Sequence, residues 1–151
     1  MRARGRWVAI AAACALVALQ TASAAEAKPV RYSGKTEQGK KVVLITNAKG
    51  KAQRFSIDYQ GKCQHRRIRR ATSVFVAPFR QADYQGFEDS GRRKERYPKY
   101  GTTGKLRARL IGVRVSRNRL RGTFDYKARY FDHGEQFNSC RARNVRWSVS
   151  R

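Results

Sequence analysis

Acidic residues are scarce in this chain: 10 Asp and Glu stand against 35 Lys and Arg, for a formal charge of +25. A surface so unbalanced concentrates anions and repels cations whatever its fold. Histidine is nearly missing, with His65 and His133 as the whole supply, and the cysteines at 14, 63 and 140 form no CxxC pair. Structural zinc takes four such ligands, typically at short spacings, so neither a metal nor a cofactor is expected. No Gly-x-Ser-x-Gly elbow and no phosphate-cradling glycine loop occurs, which removes the common hydrolase and nucleotide-binding templates. No segment keeps a helical period over about 12 residues, which argues against helical and α/β architectures.

What is there begins with an export signal. Arg2, Arg4 and Arg6 supply a positive start, Trp7 to Leu19 an uncharged apolar stretch, and Ala22-Ser23-Ala24 a small-residue cleavage site. The stretch falls short of the about 20 residues a bilayer crossing takes, so residues 1–24 read as a signal peptide rather than a retained membrane helix. Cys14 lies inside it behind Ala11-Ala12-Ala13 and reads as a small hydrophobe rather than a lipid attachment point. Residues 25–29 form a flexible leader that Pro29 ends, and residues 30–151 a single domain. Cleavage removes three arginines and no acid, so 32 basic residues face 10 acidic ones and the mature charge is +22. The expected destination is secreted or associated with the cell envelope, with no transmembrane segment in the mature chain.

Cys63 and Cys140 survive cleavage, an even number in an exported chain, and an oxidising compartment favours pairing them. Free thiols, metal-bound thiols and pairing between chains are the competing readings. A bridge would tie the middle of the chain to its last strand, and closing so long a loop stabilises by roughly 4 to 5 kcal/mol in the chain-entropy picture.

From Val30 onward apolar residues recur with period two. Phe55, Ile57 and Tyr59 alternate with Arg54, Ser56 and Asp58. Leu120, Phe124, Tyr126, Ala128 and Tyr130 share one parity, as do Val145, Trp147 and Val149. Such strands bury one face and wet the other. Asn47-Ala48-Lys49-Gly50 reads as a hairpin turn, and Arg117-Asn118 as a tight second one. The apolar phase slips between Leu110 and Val113, so Gly112 reads as a bulge or bend. Residues 80–103 differ in composition, and within them the run 88–98, polar, charged and broken by glycine and proline, reads as one long polar loop, with a short helix through 89–97 as the alternative. The fold class is therefore all-β, an antiparallel sandwich or curled barrel of about seven or eight strands. Its buried set is expected to include Phe55, Ile57, Leu106, Leu110, Leu120, Phe124, Tyr126, Val145 and Trp147.

Several short motifs strengthen that reading: Tyr32-Ser33-Gly34-Lys35-Thr36 with Gly39, Gly61-Lys62-Cys63, Arg119-Leu120-Arg121-Gly122-Thr123-Phe124, and Cys140 to Ser148 around Trp147. In these the chain resembles small secreted β-domain proteins of high-GC actinobacteria, in which a Gly-Thr-Phe strand precedes a cysteine and a terminal tryptophan. The resemblance implies an exported β-fold with a cysteine pair and carries over no catalytic residue. Where that pattern has Thr-Gly, this chain has Arg143-Asn144.

The basic residues cluster at Arg66, Arg67, Arg69 and Arg70 and again at Arg92, Arg93 and Lys94, the candidate polyanion contacts. Arg107, Arg109, Arg114, Arg119 and Arg121 project from neighbouring strands, several onto one face. A solvated high-charge surface, contact with anionic envelope polymers or a membrane surface, and nucleic-acid binding all satisfy this charge. Tyr59, Tyr84, Tyr97, Tyr100 and Phe87 would be the stacking residues of the nucleic-acid reading. For catalysis, Asp132-His133-Gly134-Glu135 gathers a histidine and two carboxylates, and a ribonuclease-like pair would use His65 and His133. A turn explains the first equally, and Glu88 and Asp89 serve as charge partners for Arg92 and Arg93. The reading taken forward is a noncatalytic secreted basic β-domain contacting anionic envelope material; a small-ligand carrier with a β-fold cavity, a nucleic-acid binder and a ribonuclease-like enzyme are the alternatives.

Overall fold

Alternating apolar residues build a single antiparallel sheet in the computed structural model, which describes residues 28–64, 68–82 and 86–151. The expected signal peptide at 1–24, residues 25–27 of the leader, and His65, Arg66, Arg67 and Tyr84 lie outside the described residues. In chain order the strands are β1 (Val30–Thr36), β2 (Lys41–Thr46), β3 (Ala52–Cys63), β4 (Ile68–Val76), β5 (Arg80–Ala82), β6 (Gly86–Tyr97), β7 (Thr102–Ser116), β8 (Arg119–Asp132) and β9 (Glu135–Ser150). A 3-10 turn, Pro98–Tyr100, joins β6 to β7. The sheet order is β4-β3-β2-β1-β9-β8-β7-β6-β5, so almost every neighbour is a hairpin partner and β1 with β9 joins the two ends of the chain.

One further pairing curls the sheet. Strands β1 and β2 are short, and beyond them the end of β3 reaches β9, pairing Lys62 with Arg141 and Cys63 with Cys140. The wedge left between β3 and β9 is filled by the β1–β2 turn. Gln38 exchanges two hydrogen bonds with the Gln60 backbone, at 2.8 and 3.1 Å. On the other side, Glu37 accepts from the Arg146 side chain at 2.9 Å and donates its own N–H to the Arg146 carbonyl at 2.9 Å.

Curling brings the inner faces of β3 and β4 over those of β6, β8 and β9. Phe55 sits in the middle, fully buried, with its ring 4.8 Å from Trp147 and 6.2 Å from Phe87, while Tyr59 lies 4.7 Å from Phe124. Centroid separations of this size are those of packed aromatic pairs, so rings fill the interior between the layers. The expected buried residues are found there, except that Leu106 is half-buried. Cys63 and Cys140 are disulfide-bonded, 77 residues apart in sequence.

Two sequence expectations change. The segment 88–98 is neither a polar loop nor a helix: β6 runs through Gly86–Tyr97 and pairs with β7 from Phe87↔Gly112 to Tyr97↔Thr102. Backbone hydrogen bonds to β7 hold it, and most of its side chains stay in solvent, so no apolar alternation marks it. Gly112 is not the bulge. It pairs in register with Gly122 and Phe87, and a Cβ there would meet the Phe87 ring at 2.5 Å. The apolar phase slips because Phe87 covers Gly112 from the neighbouring strand, and the register shift comes later, between Arg114 and Ser116.

Two measurements check this architecture. Reducing the disulfide, or replacing both cysteines by serine, should lower unfolding free energy in urea by roughly 4 kcal/mol, and an unchanged midpoint would contradict a stapled fold. Gly122→Ala puts a Cβ against the Ile111 carbonyl oxygen and the Trp147 ring. It should cost at least about 1–3 kcal/mol by thermal melting, whereas Gly91→Ala, with open space, should cost far less.

Candidate functional site

The outer face of the sheet is where the charge gathers. On β6, β7, β8 and β9 Lys and Arg recur at the middle positions opposite in parity to the core, and antiparallel register sets them side by side. Arg92 pairs with Arg107, Arg107 with Lys127, and Lys127 with Arg141. The extra pairing continues this row to Lys62 on β3. Five strands thus carry five cations in line, spanning about 19 Å at the usual spacing between strands. A second row lies beside it, from Lys94 to Lys105 to Arg129.

All of these side chains are exposed, and none makes an ion pair among the described residues. The nearby acids are engaged elsewhere. Glu88 meets Arg109 at 3.8 Å, so it is not the partner of Arg92, and Glu95 meets Arg93 at 3.5 Å. Asp125 accepts from the Asn144 N–H at 2.9 Å. That bond holds a bulge in β9, where Asn144 has φ 48°, a conformation that asparagine tolerates better than most residues. A surface depression of about 490 Å³ lies between the two rows, and one of about 720 Å³ lies on the other side of the first row, beside Arg109, Asp125 and Arg143; both are lined by Arg92, Arg107 and Lys127. Directly opposed like charges destabilise a sheet, so this face carries a standing repulsion that an anion would relieve.

The expected contact residues divide. Arg92 and Lys94 stand in the rows. Arg93 has the opposite parity and pairs with Glu95. Arg70 is exposed on β4, outside both rows, and Arg69 turns toward the rim of the interior. Arg114 leaves the basic face altogether, donating to the Arg117 and Gly50 carbonyls at 3.1 and 3.3 Å. The residues missed were Lys62, Lys105, Lys127, Arg129 and Arg141. Their alternation with core residues was readable, but only register brings them into line.

Arg69 belongs to a cluster of tyrosines at the end of the interior near the disulfide. Its guanidinium donates to the Tyr130 hydroxyl and lies 5.1 Å from that ring. Tyr130 and Tyr126 hydroxyls are 3.5 Å apart, and Tyr97 donates to Glu95. Burial pushes the phenols of Tyr59, Tyr97 and Tyr126 above their ordinary range, and at Tyr97 the Glu95 carboxylate adds to it. These aromatics are directed inward and do not form a stacking platform on the basic face.

The turn Asp132-His133-Gly134-Glu135 joins β8 to β9 with φ 45° at His133 and 94° at Gly134. Positive φ at both central residues marks the tight hairpin turn that right-twisted strands prefer, which accounts for the composition. The His133 side chain is 90% exposed and its Nδ1 lies 2.9 Å from Asp132. Among the described residues no group of three or more His, Cys, Asp or Glu is placed to hold a metal ion, and no helix is long and apolar enough to cross a membrane. No family model, curated protein or solved structure matches the chain.

The tyrosines give a pH dependence with a definite sign. Their folded phenols hold protons that the unfolded chain gives up near pH 10, so their stabilising effect is complete below that pH and is lost as pH rises above it. Urea midpoints measured from pH 8 to about 11.5 should fall above pH 10, and Tyr59→Phe should make the decline shallower. An identical decline in Tyr59→Phe would contradict the assignment.

Proposed function

We propose that the mature domain is a noncatalytic, exported module that binds a linear polyanion along the two cation rows. The observation that supports this most is the row Lys62, Arg141, Lys127, Arg107 and Arg92, aligned across five strands with no acidic partner among the described residues. A surface made basic only for solubility tolerates interspersed acids, and interspersing lowers its self-repulsion. Here Glu88, Glu95 and Glu37 are paired with Arg109, Arg93 and Arg146, and Asp125, the one acid among the described residues lining the depression beside the first row, is engaged by the Asn144 N–H.

The polyanion is a flexible polymer with repeating phosphate or carboxylate groups. The basic face is the outside of a curled sheet, so it is convex, and a flexible chain follows that curvature while a flat lipid surface touches only its crest. Single-stranded nucleic acid is less suited, because base stacking requires free aromatic faces. Tyr59 and Phe87 are buried, the ring of Phe131 beside the second row is covered by Lys105 at 4.7 Å, and the exposed Tyr100 stands in the β6–β7 turn, outside both rows. An export signal at residues 1–24 would deliver the domain to envelope polymers of this chemistry.

The test couples affinity to stability. Arg107→Gln with Lys127→Gln should weaken binding to polyphosphate and to polyglutamate by about ten-fold at low salt and flatten the salt dependence, as expected when phosphate-type contacts are lost. The same variant, without polymer, should unfold at higher urea, since each opposed like-charge pair removed returns about 0.2–1 kcal/mol. Unchanged affinity would overturn the assignment of the rows. Tighter binding to anionic vesicles or to single-stranded RNA than to either polymer would replace the polymer with that partner.

A further inference from the structure

The end of the sheet opposite the tyrosine cluster holds a second kind of site. There the Asn47–Gly50 turn, the segment between β4 and β5, and the β7–β8 turn surround an open cavity of about 760 Å³. That volume falls in the range of pockets that hold small ligands. The cavity's lining includes Leu44, Leu120 and Phe87, which are buried, and Phe79, whose ring packs 5.3 Å from that of Phe87. Also lining it are Lys49, Lys51, Arg80, Arg114, Arg117 and Arg151, and among its described lining residues there is no Asp or Glu.

Two details go beyond composition. Arg114 is fixed in place by its bonds to the Arg117 and Gly50 carbonyls, so one cation is preorganised without being neutralised. A guanidinium has five N–H donors, and the remaining ones have no partner among the described residues. Thr46, in the same wall, is 1% exposed, and its hydroxyl lacks a hydrogen-bond partner among the described residues. Buried polar atoms are rarely left so, and a ligand oxygen is one way to satisfy them.

We infer that this cavity binds a single-chain anionic amphiphile, its phosphate or carboxylate head among Arg114, Arg117 and Lys49 and its alkyl tail on the half-buried Val30, Ala52 and Phe79, which pack against the buried cluster of Leu44, Leu120 and Phe87. An inorganic anion would use the cations and leave the apolar lining wet, and a neutral alkyl ligand would do the reverse. The site shares no lining residue with the cation rows, so it is independent of the polymer reading.

Titration with octyl phosphate and with octanoate, both below micelle formation, followed by amide chemical shifts, tests this. Saturable 1:1 binding is expected, with shifts at Thr46, Leu44, Phe87 and Leu120, and with inorganic phosphate and octyl glucoside each at least about ten-fold weaker, roughly 1.4 kcal/mol. Which head binds more tightly distinguishes phosphate from carboxylate. Lys49→Glu with Arg117→Glu, both exposed positions, should abolish the preference for the anionic head while Arg107→Gln with Lys127→Gln leaves it intact. Octyl phosphate binding no more tightly than inorganic phosphate, or shifting chiefly Arg107, Lys127 and Arg141, would overturn the proposal.

Discussion

The pairing of Lys62-Cys63 with Arg141-Cys140 is the constraint on which the rest of the structure depends. An up-and-down sheet of nine strands has no internal reason to fold over on itself. Here the short β1–β2 hairpin leaves the upper part of β9 open, and the longer β3 crosses to occupy it. Once β3 and β9 meet, Phe55 is carried over Trp147 and Tyr59 over Phe124. The core is therefore a consequence of closure at one edge, and the disulfide makes that closure covalent.

How much of this is readable from sequence depends on which force holds each element. Strands β3, β8 and β9 bury one face, so Phe55-Ile57-Tyr59, Phe124-Tyr126-Ala128-Tyr130 and Val145-Trp147-Val149 announce themselves by period two. Strand β6 is held by backbone pairing to β7, and Arg92, Arg93 and Lys94 stay in water on either parity, so its sequence looks like a loop. Gly112 misleads for a related reason. Its partner in packing, Phe87, lies in the stretch that had no recognisable pattern, so the gap in β7 had no visible filler.

The basic face was legible only as a sum of charges. Clusters in sequence, such as Arg92-Arg93-Lys94, are split by the pleat, which sends Arg93 away from its neighbours. Residues far apart, such as Lys62, Lys127 and Arg141, are joined by register instead. A search for dense basic runs therefore finds only Arg92 and Lys94 of the two rows and adds residues, Arg69 and Arg93, that have other engagements. Isolated cations alternating with core residues on consecutive strands are the better signal, though they become a row only when hairpin registers are known.

The staple and the charge are coupled. Cys63 and Cys140 stand directly beside Lys62 and Arg141, so the bond that closes the sheet also holds two like charges opposite one another. Without it, repulsion along the row would act to part β3 from β9, the joint with the fewest paired residues. A covalent link at that point lets the row extend to a fifth strand without loosening the interior beneath it. A single acidic substitution at Lys62 or Arg141 would remove that repulsion. The row therefore sets its five cations at the fixed spacing of the strands, and their mutual repulsion acts against the stability of the sheet beneath them.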